Sequence, residues 1–578
     1  MRGPISARWR LLAAALLGSV LVLLLLMPSQ VPEHRPPEGQ IYEPIPGGPR
    51  AAGGPVAPSR SGEPALGADV EDEGADPGSP SKASPPLPQF TPRQIHCVGS
   101  PPRQTEDPLS PPCVAFFEGD NGGSTHRGVS EDDISVVFYS DHCCEGDLTK
   151  PWHPTDECVG CGNIVRTVKA HLRYFQKRLQ TYGRLVRLVG QKARVGLAGE
   201  PTCASRRADA QAAVLEHQPF AAVWIANGNI RCYADQMAKM GVLTFGLNED
   251  VPSALYEDDG SISYGFMPTQ ELQTRWSASF VCRALDGGTA RFAKDTTMRS
   301  RTRTFAFVRP GSPTAVDVER YEEAELFQRY LEDECDPDLT VETYERPEEA
   351  ATIAWNLRLE EITTVICYCV PSDANPGGMA GPILRASTSL AYFPEWYWDA
   401  STLMDRAFAM RAENGALEHA SFGTTYLWRQ SGFREQYHYQ AYLQEEPGTQ
   451  PNPYYNFGIY TTFLTLFRGV QSAGPNITPE TLRRGLFTFS YTDRRNPWVP
   501  TGGFGPDPHG TDSEHTFVDT GMAWWWDPTG RPPGEVRASG CMRAPFGGLR
   551  FYPSEWPRGD GYLFRPADVC TDDLYKPG

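Results

Sequence analysis

The chain is short of cations. Its 53 Lys and Arg stand against 71 Asp and Glu, a net charge of -18 over 578 residues. With no long Lys/Arg block there is little to draw a phosphate backbone, which sets nucleic acid aside as a partner. Familiar catalytic signatures are missing too: no Walker loop, no Gly-x-Ser-x-Gly elbow and no His-Glu-x-x-His occurs. The 11 His are scattered, without metal spacing outside one cysteine-rich stretch. Long apolar runs are scarce as well. The one of note, Leu11 to Met27, falls between a signal-peptide core and a full membrane span in length.

Arg2, Arg8 and Arg10 precede that run, and Pro28-Ser-Gln30 follows it with neither an Ala-x-Ala cleavage pattern nor a Cys for lipid attachment. Residues 1–30 therefore read as an anchor, with a removed signal as the alternative, and both send the bulk across the membrane into the cell envelope. Outside the cytoplasm the 14 Cys read as disulfides. Cys203 with Cys232, and Cys541 with Cys570, are candidate bridges. His142-Cys-Cys-Glu145, His153 and Cys158-Val-Gly-Cys161 offer a set that can also hold a tetrahedral zinc. Thiolates in an oxidising compartment compete poorly with disulfide formation, so neither metal nor cofactor is expected.

Residues 31–93 are dominated by Pro, Gly, Ala, Ser and acids. They cannot bury enough to offset chain entropy and read as a disordered stalk. An irregular cap is expected over 94–130, and the folded body follows. Ile134–Tyr139, Leu185–Val189, Phe220–Ile225 and Gly241–Phe245 read as strands. They alternate with a helix through Val165, Val168, Leu172, Phe175 and Leu179 and another from Ala204 to His217. That alternation predicts a parallel sheet covered on both faces. The pattern restarts with a helix through Leu272, Trp276, Phe280 and Ala284. Strands at Thr304–Val308, Leu339–Tyr344 and Thr363–Val370 follow, separated by helices at Val316–Leu331 and Ala350–Leu359. The fold expected is α/β, with two doubly wound parallel-sheet lobes joined by a hinge: lobe 1 over 131–265, lobe 2 over 266–410, a return to lobe 1 over 411–500, and a lobe-crossing C-terminal segment over 501–578.

Parallel sheets gather their loops at the carboxyl ends of their strands, where small ligands lie in α/β proteins. Asn227, Gly228, Asn229, Asn248 and Glu249 fall in such loops, as does Pro371-Ser372-Asp373-Ala-Asn-Pro376. Asn and Gly also simply turn a chain. Tyr392-Phe-Pro-Glu395-Trp396-Tyr397-Trp398 sets a carboxylate among aromatics, where Glu395 can hold an ammonium group and Trp396 or Tyr397 can stack on a ligand. The alternative is that these rings pack a lobe.

Val223-Trp-Ile-Ala-Asn-Gly-Asn229, Gly241-Val-Leu-Thr-Phe245 and Tyr392-Phe-Pro-Glu395 come in an order that resembles the type 1 periplasmic-binding-protein fold. The branched-chain amino-acid-binding-like solute receptors of ABC transporters are the specific likeness. Tyr455 to Gly474 is similar to that family's long helix ending in Ala-Gly, and Thr478 to Leu486 to its next short helix. The resemblance covers roughly Ile134 to Pro553. It implies that Asn227–Asn229 and Asn248–Asp250 meet a ligand carboxylate, that Glu395 meets its amine, and that an aromatic near Tyr368 to Ser372 covers it. Glu249 and Asp250 stand where the family has neutral residues, and a carboxylate there repels a ligand carboxylate. An amide, a cationic solute or a polyol therefore stays open beside an amino acid.

The reading that results is a non-enzymatic, membrane-tethered receptor capturing a small polar solute for an ABC permease or a membrane sensor. An exported type II membrane glycosyltransferase-like enzyme is the alternative, with Asp258-Asp259 or Glu131-Asp132-Asp133 as its metal site. A ligand-free docking module of the envelope is the third.

Overall fold

The computed structural model describes residues 109–571 apart from 116, 142–145, 149–162, 195–201, 227–229, 247–252, 254–261, 314–317, 372–377, 414–417, 428–435, 453–454, 489–498, 507–513 and 532–539. The chain divides after Lys82, and every described residue belongs to the second unit, Ala83–Gly578. The anchor expected over 1–30, the stalk over 31–93, the start of the cap and most of the cysteine-rich loop lie outside the described residues. Among those described, no helix is long and apolar enough to cross a membrane.

The first sheet contains β1 (Asp133–Ser140), β2 (Gly146–Asp147), β3 (Leu185–Lys192), β4 (Ala221–Ile225), β5 (Leu243–Gly246) and β6 (Ser263–Gly265), in the order β2-β3-β1-β4-β5-β6. All pair in parallel except β2, a two-residue edge antiparallel to β3. Side chains alternate across this sheet because a strand repeats every two residues. Val136 and Phe138 join Val165, Val168, Leu172 and Phe175 of α1 (Ile164–Arg178) in one core. Val137 and Tyr139 join Ala210 and Val214 of α2 (Cys203–His217), with Tyr233 and Met237 of α3 (Ile230–Lys239), in another. A disulfide between Cys203 and Cys232 ties α2 to α3, with 5.3 Å between their Cα atoms.

The second sheet restarts the pattern. It runs in the order β14 (Val569–Thr571), β13 (Cys541–Ala544), β12 (Met522–Asp527), β11 (Ala420–Thr425), β10 (Glu395–Trp398), β9 (Thr364–Cys367), β7 (Phe305–Pro310), β8 (Leu339–Tyr344). Its parallel part is β7, β8, β9, β10 and β11. Counted in chain order, the parallel strands of both sheets run 2-1-3-4-5, a doubly wound order. Helices α4 (Gln270–Phe280) and α5 (Val318–Glu334) pack together, with Phe280 and Phe327 in the core shared by Phe307 and Tyr397; α6 (Ala350–Leu359) and α7 (Ala380–Ser389) cover the opposite face with Ile353, Leu357, Ile383 and Leu384. A disulfide joins Cys282 to Cys335, behind α4 and α5.

Three antiparallel strands then extend this sheet beyond β11: β12, β13 and β14. The sheet is mixed where an all-parallel one was expected. Trp524 and Trp526 of β12 lie in the core with Trp396 and Trp398, and a disulfide joins Cys541 of β13 to Cys570 of β14.

The short α8 (Ala407–Ala412) precedes β11; after β11, α9 (Tyr437–Glu445) and α10 (Asn456–Ala473) pack on the first lobe through α1, and α11 (Pro479–Phe487) packs on α10. Because β11 holds residues 420–425 in the second sheet, the return lies later in the chain than residue 411. Glu445, almost wholly buried, secures the returning α9 by ion pairs to Lys177 at 2.6 Å and Arg178 at 3.5 Å.

The segments that cross between lobes bind one another. Gly265 bridges to Thr516, Val518 N donates to Phe266 O at 3.2 Å, Asp519 N donates to Thr501 O at 3.1 Å, and the Phe266 and Phe517 rings stack at 5.0 Å. Arg550 is buried at their junction. Its Nη1 donates to Leu427 O at 2.6 Å, its Nη2 to Tyr426 O at 2.6 Å and to Thr520 O, and its Nε to Thr520 Oγ1 at 3.0 Å. Burial pushes this guanidinium down to about 9.

Arg550→Met keeps much of the volume but leaves three buried carbonyls without their donor, so the unfolding free energy should fall by about 3 kcal/mol. An unchanged urea midpoint would refute the clamp. His171 and His438 lie together between α1, α9 and α10, His171 bonded to Asn456 Oδ1 at 2.6 Å, and burial holds them at about 4 and about 3. Below the ordinary value of 6.5 the unfolded chain takes up protons that these buried rings refuse, so their contribution makes stability fall as pH drops from 6.5 toward 4. The thermal midpoint should decline over that window, and less steeply in a His171→Phe/His438→Phe variant; parallel declines would refute the assignment.

Candidate functional site

Each sheet presents a carboxyl rim, and the described residues build part of both. In the first lobe β1 ends at Ser140, delivering Tyr139 and Asp141 to the rim. The Tyr139 ring stacks on Tyr233 at 3.9 Å, and its hydroxyl donates to Asp209 Oδ2 at 2.7 Å. Arg206, one turn into α2 and fully buried, donates to the Tyr139 hydroxyl at 3.0 Å and pairs with Asp141 Oδ1 at 2.5 Å. Arg194, just past β3, pairs with Asp209 Oδ1 at 3.2 Å. Burial holds the Tyr139 phenol protonated, above its ordinary range. Two arginines and two carboxylates thus balance, giving a stiff, electrically neutral wall.

The second lobe is different. Asp399 follows β10 directly, is fully buried, and caps the turn at 400–402: Oδ1 accepts from Ser401 N at 2.8 Å and from Ser401 Oγ at 2.6 Å. Burial raises its carboxyl, opposed by the hydroxyls of Ser277, Ser401 and Tyr368. Tyr368, just past β9, lies against Phe327 at 5.1 Å and Phe307 at 5.4 Å. Its phenol is raised well above the ordinary value by burial and then by the nearby Asp399 and Glu323 charges. Tyr397 donates to Ser277 O at 3.3 Å beside them. This rim gathers Asp399 with the phenols of Tyr368 and Tyr397, and Arg309 at the end of β7 stands in register beside Tyr368.

Among the residues expected from sequence, Tyr368 sits at this rim, 5% exposed. Glu395 does not: it is the first residue of β10, at the amino end, opposite the carboxyl rim. There it pairs with Arg303, Oε2 to Nε at 2.7 Å and Oε1 to Nη2 at 3.1 Å, and accepts from Phe292 N and Thr364 Oγ1, each at 2.9 Å. Burial by itself lowers the Arg303 guanidinium, but Glu395 and Asp560 beside it raise it. With both oxygens taken up by these donors, Glu395 is committed to Arg303 and the sheet and leaves no acceptor for a ligand amine. Trp396 points to the other side of the sheet, packed on Trp398 at 5.8 Å and donating to His419 Nδ1 at 3.2 Å. It packs the lobe.

Asn227, Gly228, Asn229, Asn248, Glu249, Ser372 and Asp373 lie outside the described residues, as do Asp258 and Asp259. Asp132 and Asp133 stand at the amino end of β1, where Asp133 pairs with Arg187 at 3.3 Å. Among the described residues no group of three His, Cys, Asp or Glu is placed to hold a metal.

The residue missed was Asp399. Its signal lay in the alternation Glu395-Trp-Tyr-Trp398, which is a short strand and not an aromatic loop. Seen as a strand, it puts Glu395 at the start and Asp399 at the carboxyl end.

No protein-family profile and no curated protein matches the chain. Solved structures do. One is an ABC transporter substrate-binding protein from Desulfitobacterium hafniense in complex with Leu, 12% identical, TM-score 0.46, covering 71% of this chain and 100% of that one. A second is a branched chain amino acid ABC transporter from Thermus thermophilus with bound valine, 12% identical, TM-score 0.45, covering 68% and 93%. A third is an ABC transporter solute binding protein from Rhodopseudomonas palustris HaA2 in complex with p-hydroxybenzoic acid, 11% identical, TM-score 0.47, covering 75% and 100%.

Glu395→Gln should lower the unfolding free energy by about 3 kcal/mol, because it removes the bidentate one of the two carboxylates that neutralise the buried Arg303 and leaves Asp560 alone to do so. Asp399→Asn, which keeps its cap acceptor, should cost much less. Chemical denaturation of both variants checks the order, and equal costs would remove the distinction between a structural and a rim carboxylate.

Proposed function

We propose that this chain is an extracytoplasmic solute-binding protein whose two lobes close on a small polar ligand, for delivery to an ABC permease or a membrane sensor. The observation that carries this reading is the paired architecture: two sheets of 2-1-3-4-5 order, each ending in a polar rim, joined by crossing segments that bind one another. Such an arrangement suits hinge closure, in which a ligand stabilises the closed state by contacts to both lobes. It has no need of a nucleophile or a metal.

Asp399 takes the ammonium-facing role first assigned to Glu395, with Tyr368 beside it. The loops bearing Asn227, Gly228, Asn229, Asn248, Glu249, Ser372 and Asp373 supply the remaining polar contacts. Asp399 on the second rim suits a cationic group and Arg309 beside Tyr368 an anionic one, which together favour a ligand such as an amino acid over a simple carboxylate.

Thermal-shift screening and calorimetry with L-leucine, an amide such as glutamine, putrescine and p-hydroxybenzoate test the proposal. A true ligand at about a hundred times its Kd stabilises by about 2.7 kcal/mol. Asp399→Asn should weaken an amine-bearing ligand at least tenfold, whereas Glu395→Gln should lower stability without a comparable loss. Failure of all such solutes, alongside a single dominant envelope protein found by crosslinking, would favour a docking module instead.

A further inference from the structure

We infer that the disulfide between Cys367 and Cys369 is a positioning element for the second rim, one that ends β9 and sets Tyr368 against Asp399. The inference deepens the solute-site reading and rests on it for the role of Tyr368. The other described bridges close 29, 53 and 29 residues, whereas this one links positions two apart. Loop-closure stabilisation shrinks with loop length, so this ring can add little to global stability. Its effect must be local.

The local effect is geometric. Residues two apart in an extended strand are about 6.6 Å apart at Cα, since each adds about 3.3 Å. Cys367 and Cys369 are held at 5.1 Å. Continued pairing at strand spacing is therefore blocked, and β9 stops at Cys367, although Thr363–Val370 reads as one uninterrupted β-branched and apolar run.

Both cysteines are fully buried on the face that carries Val365 and Trp398. Tyr368, between them, lies on the other face, as strand alternation requires, against Phe307 and Phe327 and near Asp399. Its backbone is held at both ends, N donating to Val308 O at 2.9 Å and O accepting from the Tyr344 hydroxyl at 2.8 Å. Without the cross-link, β9 gains room to extend by about 1.5 Å at Cys369, the difference between the two spacings. Val370 and Pro371 after it move with it.

The test compares Cys367→Ala/Cys369→Ala and Cys367→Val/Cys369→Val with the wild type and with Cys203→Ala/Cys232→Ala. The valine pair keeps more bulk and favours an extended strand, so it remains informative should the alanine pair fold poorly. Hydrogen exchange in peptides spanning 364–371 should accelerate at least tenfold in both 367/369 variants, with the thermal midpoint falling less than in the 203/232 variant. Whichever of L-leucine or putrescine binds the wild type should bind these variants at least tenfold more weakly, and Tyr368→Phe should weaken it while leaving exchange unchanged. Unchanged exchange over 364–371, or full affinity in both 367/369 variants, would overturn the inference. If neither probe binds the wild type, the solute reading loses support, and local acceleration of exchange still decides whether the ring shapes the rim.

Discussion

Arg550 holds the place where the two lobes meet. Its partners are the carbonyls of Tyr426, Leu427 and Thr520 and one threonine hydroxyl, drawn from separate stretches of chain at the lobe crossings. A crossing segment has no regular sheet to satisfy its backbone, and buried carbonyls without donors are costly. A planar guanidinium with five N–H groups can serve several of them from a single side chain, which a lysine ammonium cannot do in the same geometry. The two-lobe body depends on that service, because the rims can face one another only if the strands between them are fixed.

Buried charge is handled in two ways. Arg303 with Glu395 and Asp560, and Arg206 with Asp141, form pairs whose members neutralise each other inside the protein. Asp399 accepts from the Ser401 hydroxyl and backbone N–H, and among the described residues no cation is paired with it. The contrast separates carboxylates neutralised by cations inside the protein from one whose charge is met by hydrogen bonds.

Much of the architecture was legible in the sequence. Phe220–Ile225 and Thr304–Val308 are apolar runs bounded by turn residues, and the helices between such runs keep 3.6-residue spacing through Val165, Val168, Leu172 and Phe175; local pattern sufficed because burial on both faces demands it. Glu395 was misplaced because four aromatic-rich residues do not reveal which end of a strand they form, and a shift of four positions moves a carboxylate from one end of a sheet to the other. The antiparallel β12 to β14 were not legible, since their pairing is settled by β11, a hundred residues earlier in the chain. The buried Arg303 and Arg550 carried no local signal either; their partners are gathered only by tertiary structure.

The path of the chain through α10 has a consequence for how the protein is made. This 18-residue helix is buried along nearly its whole length against α1 and α11, yet it belongs to the first lobe and is synthesised after the parallel strands of the second. The second sheet in turn waits for β12 to β14, the last described strands. Neither lobe is a contiguous piece of chain, so neither can complete its core while the ribosome or an export channel still holds the C-terminal quarter. Folding that depends on such distant pairings is slow and exposes apolar surface meanwhile. A chain built this way gains little from stepwise folding that starts at its N-terminus.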